Sequence, residues 1–122
     1  MPNLERKSLD QPEETLRHLA KGVAEFVTLG EGRVRRGTFE PGWRWSEHVA
    51  PIAGTPFCLA PHLGYVLAGR MRLQMTDGQA IEVAPGDTYL VPGGQAHDAW
   101  VVGGETCITL DFAAMLASGP PP

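Results

Sequence analysis

With 122 residues, a net charge of −4 and a pI near 5.5, the chain is long enough for one hydrophobic core and lacks the basic surface of a nucleic-acid binder. Hydrophobic residues make up 43% and charged residues 20%, the composition of an ordinary globular domain. No apolar run approaches the roughly 18–20 residues of a membrane-spanning helix, and the polar start "MPNLERKSLDQPEETL" has no signal-peptide core. The expectation is a single domain over 1–122, cytoplasmic, with no nucleic-acid or membrane partner. In a reducing compartment Cys58 and Cys107 are expected to stay unpaired.

In chain order, "LDQPEETLRHLAKG" predicts one short N-terminal helix. Asp10 or Gln11 suits the cap, Pro12 the first turn, and Glu13 and Glu14 the positive helix end. Leu16, Leu19 and Ala20 share one face, Gly22 ends the helix, and His18 is read as a surface residue on it. From Val23 onward the 15 Gly and 11 Pro punctuate short runs of aliphatic, aromatic and β-branched residues. That rhythm marks an all-β sandwich or barrel. The predicted strands are 23–29, 33–39, 44–49, 58–67, 70–76, 79–83, 88–91, 97–102 and 105–112. "VLAGRMRL" reads as a tight hairpin about Gly69, and Asp77-Gly78 as a type I′ hairpin turn. In "RMRLQM" alternation places Met71, Leu73 and Met75 on one face. The tail 117–122, "ASGPPP", reads as flexible or extended.

Three of the four histidines, His48, His62 and His97, fall in or beside predicted strands, and Cys58 lies four positions before His62. Imidazole and thiolate are the donors that borderline divalent metals prefer. Inward-facing residues from several strands of a small barrel can converge on one ion. Taken singly, each histidine reads equally well as a hydrogen-bonded structural residue, and the cysteine as a small buried hydrophobe. Glu47 and Asp98 adjoin His48 and His97 but alternate to the opposite face. Asp98 is left to orient a neighbour or to meet solvent. Trp45, Tyr65 and Trp100 read as core or pocket lining, and Arg70 and Arg72 as exposed strand charges or as a greeting for an anionic substrate. The basic trio Arg33, Arg35 and Arg36 is short and offset by neighbouring acids.

"GDTYLVPGGQAH" has Gly86, five residues, Pro92, one residue, Gly94, two residues and His97. It resembles the second motif of the cupin superfamily, G-x5-P-x-G-x2-H-x3-N, complete through the histidine, with Val101 in place of the final Asn. The first cupin motif, G-x5-H-x-H-x3,4-E-x6-G, opens on Gly42 and His48. Counting back from Gly69 then sets His62 at the usual glutamate and Cys58 at the usual second histidine, after a longer loop through "VAPIAGTP". The resemblance spans residues 42 to 101.

The resemblance implies an all-β cupin jelly roll, here with the short N-terminal helix, holding one divalent metal inside the barrel. The implied ligand set is His48, Cys58, His62 and His97. Zinc or iron leads, with nickel or manganese as further candidates. It also implies a small-molecule substrate or ligand and a homodimer. Residues four apart on a straight strand stand about 13 Å apart, so Cys58 and His62 can both ligate only if the chain turns at Pro61. Two functions follow. One is a metal-dependent oxygenase, lyase or isomerase with an open coordination position. The other is a non-catalytic protein that binds or senses a metal or small ligand through a closed, zinc-type His3Cys site.

Overall fold

A computed structural model of the protein describes residues 3–112; the 117–122 tail lies outside the described residues. Two antiparallel sheets share one core. The larger has the order β1-β2-β3-β9-β4-β7, built from β1 (Glu14–Arg17), β2 (Gly22–Leu29), β3 (Gly32–Phe39), β4 (His62–Ala68), β7 (Thr88–Val91) and β9 (Cys107–Asp111). The smaller has the order β6-β5-β8, built from β5 (Arg70–Met75), β6 (Ala80–Val83) and β8 (His97–Val102). Phe39, Val66 and Val91 of the first sheet pack in one buried cluster with Met71, Leu73, Val83 and Ala99 of the second. The fold is an all-β jelly roll. The alternation expected in β5 holds, with Met71 and Leu73 buried and Arg70 and Gln74 exposed.

Four local expectations are corrected. The N-terminal helix is instead the edge strand β1, in register with β2 (Leu16↔Ala24). Leu16 and Leu19 are 40% and 59% exposed, so the apolar stripe has no face to bury against. Pairing with β2 overrides helix propensity, a weak local preference. Lys21, at φ 62°, turns the chain into β2.

The predicted strand 44–49 is instead two single helical turns, α1 (Trp45–His48) and α2 (Ala50–Ala53). Asp98 fastens the start of α1 by accepting from the Ser46 backbone N–H (3.0 Å) and Oγ–H (2.7 Å). Pro51 suits the first turn of α2, and Gly54, at φ 79°, closes it.

Gly69 is a corner between sheets, not a hairpin. β4 pairs with β7 and β9, whereas β5 pairs with β6 and β8. Its φ is +70°, and a Cβ there would stand 2.5 Å from the Thr106 carbonyl oxygen. Only glycine meets both conditions. The hairpin at Asp77-Gly78 does form between β5 and β6. Its turn closes from Gly78 N–H to the Met75 carbonyl, and only Gly78 has positive φ, which is a type I turn followed by a left-handed glycine.

Candidate metal centre

The predicted strand 58–67 begins only at His62, because Pro61 interrupts it. Upstream of that break, Cys58 bridges to β8, exchanging both backbone hydrogen bonds with His97 (2.9 Å each). The chain therefore turns through "LAP". Cys58 and His97 sit side by side, and His62 approaches them from the first residue of β4.

The outcome is a compact group. One ligating atom from each of Cys58, His62 and His97 lies within 4.8 Å of the others. Cys58 Sγ and His62 Nε2 are 3.6 Å apart. That is the spacing of a thiol–imidazole hydrogen bond, which brings the two donors into contact.

His62 is oriented from behind. Its Nδ1 lies 2.5 Å from Asp111 Oδ2, and the same carboxylate oxygen accepts from Arg35 Nη2 at 2.9 Å. A carboxylate at Nδ1 holds the ring proton there and leaves the Nε2 lone pair facing Cys58, the arrangement common behind metal-bound histidines.

His97 is almost fully buried. Burial first, and the neighbouring His62 second, push its pKa down to about 4. It is therefore neutral, a free base suited to ligation. A hydrogen bond between the ring and the Gln95 backbone opposes that shift. Burial also raises the Cys58 thiol pKa, opposed by the Ala60 backbone and by Arg35.

His48, the fourth expected ligand, is not brought to this group. It ends α1, and its Nδ1 lies against the Arg44 backbone, 3.0 Å from the amide nitrogen and 3.1 Å from the carbonyl oxygen. The conversion of 44–49 from strand to helical turn is what carries it away. Asp98 does orient a neighbour: beyond Ser46, it accepts from Arg44 Nε at 2.9 Å. Trp45 borders the interior, Tyr65 is partly exposed, and Trp100 stacks under Arg44 with the guanidinium 4.3 Å from the ring centre. Arg70 pairs with Glu82 at 3.2 Å.

Two residues that the sequence reading set aside matter here. His18 lies within the fold, not on a surface helix. Its Nδ1 accepts from Trp43 Nε1 at 2.9 Å, and its ring stacks near Phe39 and Trp43. Burial first, then the charges of Arg35 and His48, push its pKa down to about 4. Arg35 leaves the basic trio to reach Asp111, while Arg33 pairs with Glu14 and Arg36 with Asp10 and Glu25. Alternation along β3 was the available signal, since it separates Arg35 from Arg36. A cavity of about 150 Å3 runs from Cys58, His62 and His97 to His18 and Trp43. An outer recess of about 200 Å3, bordered by Arg33, Pro61 and Asp111, meets it at Arg35 and His62.

The comparisons agree with this architecture. The family model for the cupin domain matches residues 60–113. No curated protein sequence matches the chain. Among solved structures, a structural-genomics protein of unknown function from Rhizobium leguminosarum is 17% identical, with a TM-score of 0.63 over 91% of this chain and 96% of that one. An uncharacterized conserved protein from Klebsiella pneumoniae with a double-stranded β-helix domain is 18% identical, with a TM-score of 0.55 over 91% and 89%. KdgF from Halomonas sp. is 15% identical, with a TM-score of 0.54 over 76% and 81%. At such identities the likeness is one of fold. The family match thus marks a cupin domain over residues 60–113, and the two sheets share the double-stranded β-helix fold of these structures.

Proposed function

We propose that this protein is a metal-dependent cupin enzyme acting on a small molecule, with one divalent metal held by Cys58, His62 and His97. The observation that carries the reading is the convergence of three donors beside an interior cavity, with no fourth His, Cys, Asp or Glu in the group among the described residues. Catalytic metal sites keep a position for water or substrate, whereas structural ones fill all four. The donor set of one sulfur and two imidazole nitrogens favours zinc, then iron, over nickel or manganese. When bound, such a metal polarises a substrate oxygen or activates a small molecule at the remaining position.

The chain's own residues do the rest. Asp111 keeps the His62 proton on Nδ1. Cys58 must release its proton to ligate, so metal uptake strengthens as pH rises. The apolar walls, among them Phe39, Leu73 and Met71, hold water away from the site. The closed His3Cys alternative, a metal-binding or metal-sensing protein, draws support from the soft Cys58 donor. It requires His48 to leave its bond with Arg44.

Cobalt-substituted protein titrated with azide tests the choice. A shift in the visible spectrum at one equivalent supports the open site. An unchanged spectrum in fully loaded protein supports the closed one. On the same footing we read the chain as one domain over 1–122, cytoplasmic and homodimeric. Exposed Leu63, Leu67 and Leu90 on adjacent strands support the dimer, and sedimentation equilibrium checks it.

A further inference from the structure

The cavity beside the Cys58–His62–His97 group has a one-sided chemistry. Among the described residues that line it, none is acidic and one, Arg35, is a permanent cation. His18, which also lines it, has its Nδ1 occupied as an acceptor by Trp43, so its remaining ring nitrogen carries the proton and can only donate. The other walls are mostly apolar. Asp111 borders the outer recess but not this cavity. It pairs with Arg35 at Nη2. Arg35 lines both the inner cavity and the outer recess. The cation thus reaches the interior as well as the recess.

Size narrows the choice further. The cavity holds about 150 Å3, and an apolar cavity of about that volume accepts a benzene ring. We propose that it takes a small carboxylic acid with an apolar body of one ring or about six carbons. The carboxylate lies between Arg35 and the metal position, and the body rests against Phe39, Trp43 and Leu73. The inference rests on the metal reading above, and it names the substrate class of that site. A dicarboxylate fits poorly, because the inner walls offer no second permanent cation. The charges agree as well: a divalent metal with a Cys58 thiolate, plus the Arg35–Asp111 pair, leaves a net charge of +1 for a monoanion.

The test is calorimetric titration of protein whose metal content has first been measured, with benzoate and its uncharged analogue benzamide. The expected result is saturable binding of one benzoate per chain, at least tenfold tighter than benzamide. Arg35→Gln at unchanged metal content should reduce that preference to less than twofold. Ala24→Leu, which fills the cavity without altering charge, should abolish binding of both. Equal affinity for the two probes, or no binding of either, in fully metal-loaded wild-type protein overturns the inference and leaves the metal reading standing. Failure to load any metal overturns the metal reading, and the inference with it. The wild-type comparison decides even if a variant does not fold.

Discussion

The two ends of the interior cavity are each built around histidines and use them in opposite ways. At the Trp43 end, His18 spends Nδ1 as an acceptor from the indole N–H, so its ring carries its proton on Nε2 and has no lone pair to offer. His48, on α1, holds Nδ1 against the Arg44 backbone. At the Cys58 end, Asp111 sits against Nδ1 of His62 and leaves Nε2 open, and His97 is buried and neutral. What occupies one ring nitrogen decides whether the other is a strut or a ligand.

The largest expected effect separates the ends outright. His62→Ala or His97→Ala should abolish stoichiometric metal binding, whereas His48→Ala should leave it within twofold. Elemental analysis after dialysis decides, and unchanged metal in the first two variants would remove the site. Next, Asp111→Asn should weaken metal affinity about 10- to 100-fold, the usual loss when the partner behind a ligating histidine is changed. Competition with a chelator measures it, and unaltered affinity would mean that Asp111 serves only its pair with Arg35.

Cys58→Ser should retain metal at reduced affinity. In cobalt-substituted protein it should lose the thiolate-to-metal charge-transfer band. A band that survives the substitution would place the sulfur outside the coordination shell.

The smallest effect sits at the other end. The His18 pKa is about 4 in the folded protein, against an ordinary value of 6.5. A depressed folded value means that the unfolded chain binds the extra proton first. This contribution to stability is therefore full above pH 6.5 and is lost as pH falls toward 4. Allowing for partial solvent exposure, it is worth on the order of 1 kcal/mol. His18→Asn keeps an acceptor for Trp43 and removes the titration. Its urea-unfolding midpoint should fall less than that of wild type between pH 7 and pH 4.5.

The same contrast explains what could be read in advance. The Cys58 end comes from segments whose signals are local and strong: Pro-Gly turns in "VPGGQAH", strict alternation in β5, and a proline that must break the strand at residue 61. The Trp43 end comes from segments whose conformation is decided elsewhere. Glu14–Arg17 is a strand because β2 offers it a free edge. Trp45–His48 is a helical turn because Asp98, 52 residues from Ser46, holds the Ser46 backbone. Neither partner is visible in a window of ten residues. The miscast segments carried His18 and His48 with them, one brought to the cavity from a supposed surface, the other withdrawn from the ligand set. Asp111 and Arg35 were missed for a related reason. Their pairing joins strands β3 and β9, far apart in the chain.

The most direct measurement is X-ray absorption at the metal edge of fully loaded protein. The account predicts one sulfur and two imidazole nitrogens from the protein, with at least one further oxygen ligand from solvent. A shell of one sulfur and three imidazoles, or a shell with no sulfur, would contradict it.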